Sequence, residues 1–556
     1  MRCRLIADLF VGFFTLVLTL PVMAGNATMV LYNGKVVTVD QDFSLQQAIA
    51  IDGERILAVG SNSDIKPLAR ANTQMINLDG RTVIPGLIDN HAHIMRSAQN
   101  WNHEVRFDGV STRDEALQRI AQKAQQLGDG EWIFSTGGFS PIQFGDNNGA
   151  LRIEELDQAA PDNPVLLQHL FGMAFANTQA FRAIDIEEDT EIAWLEIAND
   201  IDLNAEEQPT GVVRGAAMRR MLAKITEPTL DQYKQRATGL NRYLNSMGLT
   251  AVLDATGGLP GNPDFDAYQA LDKEKALSLR VFHLFPAPDY TPDQVGQFAA
   301  ILKGLPRFEN SDYFQRVGVG ERLYGPIHDS MVQPAASQPE HVQAFASLAQ
   351  QTAAAGWHLH QHATHIQSIN QHLDAYEAIA REHDISKLRW TFTHADGIEP
   401  EAVERASKLG MMIATQSRRL IGGSKFSHPL PLIAFADPPL KQLQDSGIRW
   451  GLGTDTMTVA QANPFFTLWW AVTGKAINGE QLTDEKVSRE QALMAHTREN
   501  AWFMFRENDL GSLEPGKLAD ILVLDRDYLT VEEDEIRRIK PQMTLVGGRV
   551  VYQQGK

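Results

Sequence analysis

Between Val83 and Thr454, short strand-like apolar runs alternate with longer helix-patterned ones, and this alternation restricts the chain more than any other property. Hairpin turns join antiparallel strands, whereas parallel ones need a crossover, usually a helix, so the pattern predicts β/α units. Counted backwards, the runs are Ile448 to Thr454 (strand eight), Met411 to Gln416 (seven), Arg389 to His394 (six) and Trp357 to His362 (five). Arg316 to Glu321 (four), Leu279 to Phe285 (three), Thr250 to Asp254 (two) and Val83 to His91 (one) complete the set. Eight such units close a (β/α)8 TIM barrel, an α/β fold, assigned here to residues 83–507.

The flanks have a different character. Met29 to Val39 reads as a hairpin around Asn33-Gly34, followed by short strands around Asp52-Gly53. Ala519 to Leu524 and Val546 to Tyr552 are strand-like too, so residues 25–82 and 508–556 are expected to pair into one small β-sandwich. Strands one and two lie too far apart for one crossover. Residues from about 129 to 214 are therefore read as an insertion, with strands at Trp132 to Thr136 and Val165 to Leu170.

Residues 1–24 carry Arg2 and Arg4, an apolar run from Leu9 to Leu20, and small residues around Ala24. That order is a secretory signal peptide, and the run is shorter than the roughly 20 residues of a spanning helix. A periplasmic location in a Gram-negative bacterium is the expectation. Cys3, the single cysteine, falls inside the signal, which leaves the mature chain without disulfide, thiolate ligand or cysteine nucleophile. A net charge of −19 speaks against nucleic acid as partner. The expected partner is a small-molecule substrate, with no stable membrane insertion after cleavage; a homo-oligomer is left open.

Barrel active sites form where strands end in loops. Strand one ends in His91-Ala92-His93, whose alternate imidazoles share a face. Strand four ends in Glu321, five in His362, six in His394, and Asp455 follows eight. All are ligand types that suit a divalent ion, zinc foremost, with one or two ions per chain. His358 and His360 share the parity of His362 and are expected to pack inside the barrel; His365 follows in the loop. Phe465, Phe466, Trp469 and Trp470 are read as core, and Leu420 to Lys425 as a mobile loop near the mouth.

This ordered set resembles the amidohydrolase superfamily, in particular the amidohydrolase family 3 branch that includes N-substituted formamide deformylase. The likeness rests on Pro85-Gly86-Leu87-Ile88-Asp89-Asn90-His91-Ala92-His93, Pro209-Thr210-Gly211-Val212, His362-Ala363, His394-Ala395, Gly453-Thr454-Asp455 and the tail Gly511 to Ile521. The resemblance implies a distorted (β/α)8 barrel with a β-sandwich, and a metal-dependent hydrolase of non-peptide C–N bonds. It further implies one ion at His91, His93 and Asp455, a second at His362 and His394, and Glu321 as the bridge where many relatives carry a carboxylated lysine. Asp455 is the expected catalytic proton shuttle. The chain departs from the pattern at Thr364-His365, at Thr393, where glutamate is common, and at Met173, where relatives tend to carry histidine. His365, Met173 and Trp101 are the candidate substrate contacts. Deamination or lactam opening keeps the same fold as an alternative, and a binding or regulatory protein on a decayed scaffold is the non-enzyme one.

Overall fold

The computed structural model describes residues 27–145, 149–169, 172–184, 198–225, 227–309, 311–330, 334–422 and 437–555. The signal-peptide assignment at 1–24 and the loop assignment from Gly423 onward lie outside the described residues. Among the described residues, no helix is long and apolar enough to cross a membrane.

Eight parallel strands form the barrel: β1 Leu87–Ala92, β2 Leu249–Asp254, β3 Arg280–Phe285, β4 Phe314–Glu321, β5 His358–Ala363, β6 Thr391–His394, β7 Met412–Gln416 and β8 Arg449–Gly453. They pair in sequence order from β1 to β8. The ring then closes back on itself just past the strand ends. There the Asp455 amide donates to the His91 carbonyl (2.9 Å) and the His93 amide to the Thr456 carbonyl (2.8 Å). Helices such as Leu230–Ser246, Pro339–Ala354 and Ile366–Ala380 wrap the outside, and their apolar faces bury a core with Leu359, Phe392, Ile413 and Leu452. Phe465, Phe466, Trp469 and Trp470 belong to this core, on helix Pro464–Thr473.

Strand one departs from expectation. Val83 and Ile84 belong to a separate strand, Thr82–Pro85, which pairs with Lys35–Val37 and Ile521–Leu524 outside the barrel. Pro85 and Gly86 divide the two. A Cβ on Gly86 would stand 2.1 Å from Thr250 Oγ1, so only glycine lets the chain enter the barrel against β2 at this point.

The expected hairpin at Asn33-Gly34 is absent as well. Met29–Tyr32 pairs with Ala48–Asp52 and Gln74–Asn77, whereas Lys35–Val37 pairs with Leu45–Gln46 and Thr82–Pro85. Asn33 takes the left-handed conformation (φ 57°) that turn asparagines tolerate, but here it carries the chain from one sheet to another. The second sheet holds six strands in the order Arg549–Gln553, Pro541–Val546, Ile521–Leu524, Thr82–Pro85, Lys35–Val37, Leu45–Gln46. Leu31, Ile49 and Ile51 of the first sheet meet Val36, Val83, Ile521 and Leu545 of the second in a common apolar core.

Between β1 and β2 a further sheet forms from Ile133–Ser135, Val165–His169, Met173–Ala176, Ile201–Leu203 and Pro209–Arg214. It is tied to the loop after β8. The Gly138 amide donates to the Thr458 carbonyl (2.7 Å), and buried Arg106 donates to the carbonyls of Gly137 (2.9 Å) and Met457 (3.1 Å). Glu104 and Asp108 neutralise that guanidinium from either side.

Candidate metal centre

At the C-terminal end of the barrel, His91, His93, Glu321, His362, His394 and Asp455 converge from five strands. Glu321 is the hub. Its Oε2 lies 3.3 Å from His91 Nε2, 3.2 Å from His362 Nδ1 and 3.5 Å from His394 Nε2, and its Oε1 lies 3.6 Å from His93 Nε2. Asp455 Oδ1 approaches His93 Nε2 at 3.2 Å and His91 Nε2 at 3.7 Å. Three overlapping groups, His91/His93/Glu321, His91/His394/Asp455 and Glu321/His362/His394, each gather one ligand atom per residue within 4.8 Å. All six residues of the sequence-predicted metal set thus share one place.

The backbone there is committed to this convergence. His394 (φ 72°) and Asp455 (φ 62°) both sit in the left-handed region, which non-glycine residues enter at a cost. Gly320 (φ 132°) precedes Glu321, and a Cβ there would stand 2.0 Å from the His360 carbonyl. Close approach of β4 to β5 brings Glu321 within reach of His362.

Each imidazole is held from behind through the nitrogen it turns away from the hub. His93 Nδ1 meets Thr256 Oγ1 at 2.7 Å, and His394 Nδ1 donates to Gln416 Oε1 at 2.8 Å. His91 Nδ1 lies 3.0 Å from Thr393 Oγ1 and 3.2 Å from His360 Nε2. Thr393, the departure from the family pattern, therefore supports a ligand. His362 is turned the other way, offering Nδ1 inward while Nε2 faces Asp329 Oδ1 at 2.9 Å.

Charge follows geometry. Burial would raise the Glu321 carboxyl, but the histidines around it hold it well below the usual carboxylate range. Burial likewise opposes ionisation of Asp455, yet the hydrogen bond from His93 together with the charges of His394 and His91 keeps the carboxyl low. At His362 burial pulls the pKa down, and the hydrogen bonds to Asp329 and Glu321 push it up to about 9. Two anionic carboxylates among four imidazoles are a donor set for divalent cations. The fit is tightest at His91, whose Nε2 is buried and satisfied by no hydrogen bond: Glu321, although 3.3 Å away, stands outside hydrogen-bond geometry. The core histidines His358, His360, His372 and His496 carry such a nitrogen too, so it is the convergence of six donors, with His91 Nε2 free to ligate among them, that marks the site.

The candidate substrate contacts fare differently. Trp101 packs against Tyr243 (5.0 Å between ring centroids) and over Gly239, on the half of helix Leu230–Ser246 that runs away from the strand ends. Met173 lies in the insertion sheet with its sulfur 3.9 Å from Arg214 Nη2. His365 caps helix Ile366–Ala380, and its Nε2 is 2.7 Å from the Ser330 carbonyl. His358 and His360 are buried inside the barrel as expected.

Residues the sequence reading passed over include Asp329, Thr256, Gln416 and the buried pair Arg418–Asp396, whose guanidinium also reaches Thr364 Oγ1 (3.3 Å). Gln416 carried a signal, being a polar residue at the end of a predicted strand. Asp329 carried only proximity to the end of β4.

An eight-stranded parallel barrel with this cluster at its mouth defines a metal-dependent hydrolase. The amidohydrolase family model matches residues 74–552, and the chain belongs to that family, in its family 3 branch; it is a hydrolase of C–N bonds. It is 27% identical over 553 residues to protein LONG AFTER FAR-RED 3 of Arabidopsis thaliana, covering 95% of this chain and 92% of that one. It is 26% identical over 550 residues to N-substituted formamide deformylase of Arthrobacter pascens, covering 95% and 98%. Among solved structures, an uncharacterized metal-dependent hydrolase from Pyrococcus horikoshii superposes with a TM-score of 0.61 at 20% identity, over 91% of this chain and 99% of that one.

Proposed function

We propose that this protein hydrolyses an N-substituted amide of formamide type, using His91, His93 and Asp455 to hold one divalent ion, His362 and His394 a second, and Glu321 to bridge them. The observation that carries this reading is the position of Glu321, one carboxylate within 3.6 Å of four histidine nitrogens. A shared anion screens the repulsion between two neighbouring cations. Imidazole and carboxylate donors together suit zinc as one of several divalent ions. Bound there, divalent zinc brings the pKa of water toward neutrality and polarises a carbonyl oxygen.

The chain supplies the rest. Asp455, a carboxylate at neutral pH, takes the proton of the attacking water at an Oδ atom and returns it to the departing nitrogen, which then leaves as a neutral amine. The hydrogen bond from its backbone amide to the His91 carbonyl keeps the carboxylate facing the hub. Thr256, Thr393 and Gln416 fix the ring orientations of His93, His91 and His394, so the donor set is arranged before substrate arrives. Export by the N-terminal segment belongs to the same proposal, and the intact mass of periplasmic protein tests it: full-length protein in the cytosol overturns it.

Metal analysis of purified protein, followed by a library of N-substituted amides, lactams and amino-heterocycles with product identification, tests the activity. Formate or another carboxylate plus an amine is expected. Ammonia as the only nitrogen product, or a ring-opened lactam, would replace the amide reading with deamination or lactam hydrolysis.

A further inference from the structure

Among the described residues, His362 is the one imidazole of the cluster backed by a carboxylate. Asp329 follows the turn Gly325–Ile327 after β4, and its side chain is fully buried. Its two oxygens have different work. Oδ2 accepts the backbone amides of both Thr364 and His365, each at 2.9 Å. Oδ1 faces His362 Nε2 at 2.9 Å, with a longer contact to the Thr364 amide at 3.2 Å. The Ser368 hydroxyl adds a further donor. A carboxylate so surrounded by donors carries no proton, so the hydrogen between Asp329 and His362 resides on His362 Nε2.

We infer that Asp329 is a positioning residue that dictates the tautomer of His362, with the proton on Nε2 and the lone pair on Nδ1 facing Glu321, and thereby makes His362 competent to hold a divalent ion. The inference rests on the two-ion reading above and extends it to a residue outside the ligand set. His362 needs this help more than its neighbours do. His91, His93 and His394 rest on hydroxyl, imidazole or amide partners at 2.7–3.2 Å, while among the described residues the Thr364 hydroxyl, at a long 3.4 Å, is the other partner of His362 Nε2 beside Asp329.

The arrangement makes an unusual demand of the conservative substitution. In Asp329→Asn the amide oxygen must take the Oδ2 position, because two backbone amides point there and an NH2 group cannot accept from either. The NH2 is then forced toward His362 Nε2, which must become the acceptor. His362 is left with its proton on Nδ1, donating to Glu321, where no ion can displace it cheaply. Asp329→Ala removes the anchoring of the Thr364 and His365 amides but leaves His362 free to choose either tautomer.

The experiment measures zinc stoichiometry, zinc affinity and thermal midpoint for wild type, Asp329→Asn and Asp329→Ala. Expected is a crossover: Asp329→Asn melts nearer to wild type than Asp329→Ala does, yet loses the second ion more completely, with its affinity down by at least about 10–100-fold. A purely structural Asp329 predicts Ala worse than Asn in both readouts, and that result overturns the inference. In protein loaded with cadmium-113 and labelled with nitrogen-15 histidine, the metal coupling of His362 is expected on Nδ1, with the proton on Nε2. Coupling on Nε2 overturns the inference directly. Wild type holding two ions alongside an Asp329→Asn protein that also holds two refutes the role of Asp329 and leaves the two-ion reading standing. Wild type that binds no ion refutes both.

Discussion

The two halves of the cluster are built on different principles. On the β1–β8 side, the backbone of His91, His93 and Asp455 is tied by the hydrogen bonds that close the barrel, in addition to the hydroxyls of Thr256 and Thr393 behind the rings. On the β5–β6 side, His362 and His394 depend on side chains, Asp329 and Gln416, that reach in from a loop and from β7. A half fixed by backbone tolerates the loss of an outer partner; a half fixed by side chains does not. Glu321 belongs to both.

The largest effect is therefore expected at the hub. Glu321→Gln should fold, because its side chain supports no backbone group, but it should lose at least one metal equivalent and most turnover. Unchanged occupancy and activity would dissolve the division into halves and favour a mononuclear site at His91, His93, His362 and Asp455. Next comes Asp455→Asn, which keeps size and one ligand oxygen but cannot accept a proton. Turnover should fall by about 10²–10⁴ with substrate still bound. Near-normal rates with an unchanged pH profile would reassign the proton to another acid.

A pH experiment on metal-free protein reads His362 together with His91, whose pKa Glu321 and Asp455 also raise against burial. His362 titrates near 9 in the folded chain, above its ordinary 6.5, despite burial and because of Asp329 and Glu321. A raised histidine pKa contributes stability that is full below about 6.5 and is lost as pH climbs through about 9. Chelator-stripped protein should consequently lose on the order of 2–3 kcal/mol between pH 6 and 10 by denaturant titration. Zinc affinity should run the opposite way, rising over that window as the competing proton leaves. Flat stability across it would show that the pair with Asp329 does not form.

Smaller effects separate the outer partners. Thr256→Val removes the acceptor or donor behind His93, and because backbone already fixes that half, zinc affinity should drop only about tenfold. Trp101→Ala should leave KM unchanged and cost about 1–2 kcal/mol of stability, as loss of a half-buried packing wedge does. A raised KM would assign Trp101 to the substrate instead.

The ligands themselves were readable in the chain because parallel strands have one polarity. Once eight runs are indexed, their last residues fall on one rim, and His91, Glu321, His362, His394 and Asp455 follow by counting. Outer partners escape that logic. Asp329 and Thr256 lie in loops, where no periodicity says which way a side chain turns. Asn33-Gly34 misled for a related reason: local turn chemistry cannot distinguish a hairpin from a passage between sheets, a choice made by strands far away. Val83 and Leu87 looked continuous because hydrophobicity does not register the Pro85-Gly86 step, which depends on how closely β2 approaches.

One of those remote strands governs when the molecule can finish folding. The sheet around Met29–Tyr32 draws all its strands from residues 29–77 and is complete once they have left the ribosome. Its companion is not, because Thr82–Pro85, already beside Lys35–Val37, finds its second neighbour only at Ile521–Leu524, more than four hundred residues later. Throughout synthesis of the barrel, an apolar strand directly upstream of His91 waits with one edge open, sticky toward other chains. The arrival of the tail seals that edge, so a truncation before Ile521 would threaten solubility before it threatened chemistry.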